Sequence, residues 1–179
     1  MDLDRYQAAV LAFLFDRLPI GDDVDWMEFA LSGKFSGSFR VAHAAIDNVD
    51  DVAHLVFTLP TYSRSVFIAL TRVDTAETAR VLANLEDYER ELSLQLRLGE
   101  AVVIPSEGNY EKTPHAVILL RTATAFDCAS VPDRHSIEGY ETSFFLAVPL
   151  SREEWELRRT RGHDALMKHF EDVGKQLFF

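Results

Sequence analysis

The sequence predicts a mixed α/β domain, a largely antiparallel sheet with helices packed against it. Three observations carry that reading. Runs of β-forming residues recur at 38–46, 54–59, 65–70, 115–121 and 143–150. Segments with helically spaced apolar residues stand at the start, in the middle and at the end of the chain. The 179 residues are 47% hydrophobic and 26% charged, with no repeat or linker to divide them, so residues 1–179 are read as one soluble domain with a sizeable core.

In chain order, Leu3, Tyr6, Val10, Phe13, Leu14 and Leu18 share one face of a helix that Pro19 and Gly21 should end. The stretch GDDVDWMEFALSGKFSGS reads as an acidic, then glycine-rich, connection, whose 26–31 portion fits a short helix or a strand equally well. Residues 38–46 alternate weakly, and HLVFTL and SVFIAL form a hairpin around PTYSR. Asp74 with Glu77 three residues on makes a capping box for a helix. Val81, Leu85, Tyr88 and Leu92, at spacings of 4, 3 and 4, form the expected buried face of that helix.

At LSLQLRL the period changes to two, which predicts a strand over 92–98. Gly99 then turns the chain into AVVIP, and SEGNYEKTP follows as a polar loop. HAVILLR is a buried strand and PDRHSIEGYE a second polar loop. SFFLAVPL is apolar almost throughout, so it should be buried on both faces. Ser151 and Glu154 form another capping box, and Glu154 stands four residues before Arg158, the favourable acid-first order. Gly162 ends that helix, and Asp164 can cap a last one carrying Leu166, Met167 and Phe170.

Composition excludes several functions. The net charge of -11 disfavours nucleic-acid phosphates and favours a basic partner. One cysteine, Cys128, permits no internal disulfide and no cysteine-rich zinc site. The six histidines include no four-residue pair for a metal on a helix. The clusters DDVD and DNVDD lack the glycine and distal glutamate of a calcium loop. SGKFSGS has Glu28 where a phosphate loop needs its first glycine and Phe35 where it needs Ser or Thr. No nucleophile elbow is present. The expectation is no metal, no cofactor and no enzyme activity. Neither a signal peptide nor a membrane span is evident, so the protein is expected in the cytoplasm, as a monomer or homodimer.

Two places stand out as candidate partner-binding sites. Residues 1–60 hold 10 acids and 4 bases, while residues 151–179 hold 6 of each, so acidity gathers at the front. Asp22, Asp23, Asp25 and Glu28 surround Trp26, and mutual repulsion makes such a cluster demand either solvent or a cationic counterpart. A buried Trp26 inside that charged rim would have the layout of an interface hot spot; a solvated loop around a core tryptophan is the plainer alternative. Trp155 lies among Arg152, Arg158 and Arg159 and is read first as a core anchor, second as an interface residue.

The segment FFLAVPLSREEWELRRTRGHDALMKHF resembles the C-terminal signature of suppressor-of-fused-like domains: an apolar strand closing in Pro149-Leu150, a helix with Glu153-Glu154, Gly162, then Asp164-Ala165-Leu166. LGEAVVIPSEGN, HAVILL and HLVFTLP resemble other stretches of that family, although Glu100 stands where its members have a histidine after the glycine. The resemblance implies a mixed sheet with helices against it and a protein that binds proteins, with bacterial members that look like immunity proteins neutralising a toxin. The remaining readings are a regulatory or structural subunit of a larger assembly, and an enzyme built around His115 and Glu107.

Overall fold

The computed structural model describes residues 2–30, 38–46, 53–72, 75–104, 114–126 and 131–179, with Asp22 through its main chain alone. The elements run α1 (Leu3–Phe15), β1 (Ile20–Ala30), β2 (Ser38–Ile46), β3 (His54–Leu59), β4 (Ser65–Thr71), α2 (Thr75–Leu92), β5 (Ala101–Val103), β6 (Ala116–Leu120), β7 (Arg134–Ile137), β8 (Tyr140–Leu150), α3 (Arg152–Arg161) and α4 (His163–Val173). The strands form one sheet in the order β1-β2-β3-β4-β8-β6-β5, with β7 on β8. Strand pairs are antiparallel except β4 with β8, which is parallel. Along one edge, β8 pairs first with β7 and then, from Leu146 to Leu150, with β6.

Side chains alternate across a strand, so both faces of so apolar a sheet must be covered. On one face, Val81, Leu82 and Leu85 of α2 pack on Val41, Val56, Phe67, Val117 and Phe145. On the other, Tyr6, Val10 and Leu14 of α1 cover Leu55, Phe57, Val66 and Phe144. Leu166 and Phe170 of α4 cover Ile118, Leu146 and Val148 on that same side. The alternation within β8, with Phe144, Leu146 and Val148 facing one way and Phe145 and Ala147 the other, is why its sequence is apolar without a break. Each such Val, Leu or Phe side chain contributes roughly 1.5–3 kcal/mol on burial.

Local signals explain the helix ends. Asp2 caps α1 by accepting from the Arg5 N–H at 3.2 Å, a cap the sequence reading overlooked. Ser151 and Glu154 form the expected capping box, with Glu154 N donating to Ser151 Oγ at 3.2 Å and Ser151 N to Glu154 Oε2 at 2.8 Å. Gly162, at φ 88, separates α3 from α4, a backbone conformation that L side chains rarely adopt. It is also the N-cap of α4, so Asp164 sits in the first turn and does not cap the helix. Asp74 lies outside the described residues.

Four expectations are corrected. Over its described residues the acidic connection is a strand, β1, with Val24 half-buried on the α1 face, Met27 and Phe29 half-buried on the α2 face, and an irregularity between Ile20 and Val24; residues 31–37 of the connection lie outside the described residues. Residues 92–98 are no strand. Ser93 turns the chain at φ 50, and of the alternating leucines only Leu96 is buried, because among the described residues no strand pairs with this stretch. The loop at 132–141 contains β7 and the turn into β8, which a strand with only Ile137 buried does not announce. In α2, Tyr88 and Leu92 face solvent, and the buried stripe passes instead through Glu86 and Glu89.

Candidate functional site

β1 is the end strand of the sheet, and among the described residues its main chain pairs with β2 alone. Trp26 stands opposite Ala42 and Glu28 opposite Arg40, on the face covered by α1. Asp25 stands opposite His43, on the α2 face with Met27 and Phe29. The fold therefore splits the carboxylates between the two faces of one edge strand. Asp23, Asp25 and Glu28 are all exposed. Trp26 is 57% exposed, which corrects the expectation of a buried anchor.

An unforeseen residue organises the α1 face. Arg40 donates from Nε to Glu28 Oε1 at 3.1 Å, and from Nη1 to Asp4 Oδ1 at 3.2 Å and Gln7 Oε1 at 2.9 Å. Its guanidinium carbon lies 5.3 Å from the Trp26 ring centroid. The cation thus offsets two of the front carboxylates and backs the indole, leaving the other face of that ring to solvent. Nothing in the sequence joins positions 4, 28 and 40; the β1–β2 register sets Glu28 opposite Arg40, and α1 brings Asp4 onto the same face. The β2–β3 pairing brings the His43 and His54 rings to 6.3 Å, although eleven positions separate them. No group of three metal-ligating side chains forms among the described residues. Cys128 and Glu107 lie outside them.

Trp155 is in a different place. It is half-buried against the cluster built on β6, β8 and α4, with its ring 6.4 Å from that of His115, so it does work as an anchor for α3. β1 is at the far end of the sheet, and the two tryptophans are not brought together. Glu154 pairs not with Arg158 but with Lys175 at 2.9 Å. Arg158 instead donates to the Gly99 carbonyl, and Arg159 pairs with Glu156 at 2.8 Å.

The least legible feature lies under the β3–β4 turn. Glu86 is fully buried, and its Oε1 accepts from the N–H groups of Thr61 and Tyr62, both at 2.7 Å, and of Ser63 at 3.2 Å. Burial pushes its carboxyl up to about 6 despite those three donors. Glu89, 3% exposed, accepts from Leu96 N at 2.7 Å and Ser65 Oγ at 2.8 Å, and burial raises its pKa too. The adjacent Arg90 pairs with Asp87. Two acids on the apolar stripe of a helix were the available signal: Leu82, Leu85 and Glu89 follow spacings of 3 and 4.

No family model matches the sequence, and no curated protein matches it. Among solved structures, a SUFU (suppressor of fused protein) homologue from Neisseria gonorrhoeae FA 1090 is similar over 97% of this chain and 93% of its own, at 16% identity and a TM-score of 0.69. The Sufu–Fu complex, at 7% identity, 94% of this chain and 82% of that one, gives a TM-score of 0.48. Drosophila Suppressor of Fused, at 8% identity, also gives 0.48, over 94% of this chain and 46% of its own. The chain has the suppressor-of-fused-like fold. The first of these likenesses carries that statement, and at 16% identity it speaks of fold alone.

Proposed function

We propose that the protein works by binding another protein rather than by catalysis, and that β1 is the docking edge. The observation that carries this is an 11-residue end strand, paired on one side among the described residues, that displays an exposed Trp26 within a row of carboxylates. An open strand edge offers main-chain donors and acceptors to an extended segment, and charged side chains on it select what may pair. Carboxylates select a basic partner and accelerate its approach. Arg40 behind Trp26 keeps the indole presented instead of folded onto the sheet. The resemblance to bacterial members of the fold extends the reading to an immunity protein that neutralises a basic toxin.

The test uses the tagged chain with a photo-crosslinking residue at position 26. The expected result is one basic protein, cross-linked through an extended segment, whose toxicity to cells is relieved by co-expression. Asp23→Asn, Asp25→Asn and Glu28→Gln together should slow association about tenfold at low salt and less as salt screens the charges. Unchanged association in that triple variant would place the binding face elsewhere.

A further inference from the structure

Beside the β3–β4 turn lies a cavity of about 250 Å³ lined by Ser63, Arg64, Glu89, Leu94, Gln95 and Glu141. Its chemistry is dominated by acceptors. Glu89 is its buried wall; Oε1 accepts from Leu96 N and Ser65 Oγ, while Oε2 is buried and, with the Ser63 hydroxyl its neighbour, meets no donor in hydrogen-bond geometry among the described residues. Glu141 stands exposed at the rim, where it meets Arg134 at 3.4 Å between two solvated side chains, a weak pairing. The Gln95 amide donates to Ser143 Oγ at 3.0 Å.

Among the described residues the lining holds one cation, and its charge is engaged elsewhere. The Arg64 guanidinium carbon lies 4.7 Å from the Tyr140 ring centroid, and Tyr140 packs on the α1 face of the sheet, opposite α2 and Glu89. Leu94, an exposed apolar side chain, supplies a wall for an aliphatic stem. The volume equals that of roughly eight liquid waters, enough for one long side chain.

We propose that this cavity is a subsite for a lysine or arginine side chain of the protein partner, its cation meeting Glu89 and Glu141 while its stem lies on Leu94. The proposal rests on the reading of the protein as a binder of basic partners, and adds a second point of contact away from β1. A carboxylate that is buried with one oxygen unmatched has the most to gain from a cation carrying its own donors.

The experiment is titration of the ¹⁵N-labelled full chain with three blocked tripeptides, Ac-Gly-Lys-Gly-NH₂, Ac-Gly-Arg-Gly-NH₂ and Ac-Gly-Gln-Gly-NH₂, followed by amide shifts. Saturable millimolar binding of the lysine or arginine peptide is expected, with shifts centred on the Ser63, Gln95 and Leu96 amides and none from the glutamine peptide. Glu89→Gln keeps an acceptor for Leu96 and Ser65, so the fold is retained, and it should weaken binding at least tenfold. Glu141→Gln, on the exposed rim, should weaken it two- to threefold. Equal binding of the glutamine peptide, or unchanged affinity in both variants, would overturn the subsite. The triple variant of β1 should bind the tripeptides like the wild type. Loss of the β1 reading with tripeptide binding intact would leave the subsite standing.

Discussion

Glu86 shows how much one buried side chain can govern. Its Oε1 holds three consecutive backbone N–H groups of the β3–β4 turn, yet burial still raises its pKa from 4.5 to about 6. The folded state therefore holds this proton more tightly than the unfolded chain. The stabilisation that follows is complete below about pH 4.5 and disappears as pH rises through 6, on the order of 2 kcal/mol in all. Urea unfolding of Glu86→Gln between pH 4.5 and 7.5 should show this component of the pH dependence abolished, because the amide keeps an acceptor and carries no charge. Glu86→Ala should cost about 3 kcal/mol at pH 4.5, since it leaves the turn's donors without their acceptor, and about 2 kcal/mol less at pH 7.5, where the wild type has lost its proton-linked stabilisation. Trp26 makes a contrasting prediction. At 57% exposed, Trp26→Ala should move the urea midpoint hardly at all, by less than about 0.5 kcal/mol, while weakening partner association at least tenfold.

Among the elements, α3 tests how a helix end is fixed. Ser151→Ala removes one cap bond and should cost about 1 kcal/mol. Glu154→Ala should cost about 3 kcal/mol, because it removes the reciprocal cap bond and leaves Lys175 without its buried partner; the comparison is read from thermal midpoints. This element was legible because a capping box is local, four residues written in order. β3, β4, β6 and β8 were legible for a related reason, their burial on both faces making the composition itself the signal. β1 hid its strand behind carboxylates and behind apolar residues divided between its two faces. β7 exposes Arg134, His135 and Ser136, and residues 92–98 alternate with nothing to pair against. The acidic residues of the candidate edge were visible as a cluster, but their division between two faces and their tie to Arg40 follow from register, which pairs positions far apart in the chain. Glu86 and Glu89 stayed hidden because an acid in a helix normally marks the solvent side.

In the molecule as a whole, two antiparallel units meet at one parallel seam. β1 to β4 form a meander of neighbours in sequence, and β5, β6, β7 and β8 form the other unit. The seam joins Ser65–Ile68 to Ser143–Leu146, with Phe67 and Phe145 stacked at 5.7 Å. Phe179 N donates to Leu70 O at 2.8 Å, continuing β4's pairing where β8 has left it. That seam sets a clock for the ribosome. Ile68 faces Leu146, 78 positions later, so the β4 edge waits roughly 4–16 s of synthesis for its partner. During that interval Val66, Phe67, Ile68, Ala69 and Leu70 present an uncharged, β-prone run with an open side, the profile of a self-associating segment. A chain stopped after Leu120 should accumulate in the insoluble fraction of an expressing cell, and Ala69→Lys in that fragment should return it to the supernatant. Slower growth temperature should raise the soluble yield of the intact chain, whose vulnerable period ends only when β8 emerges.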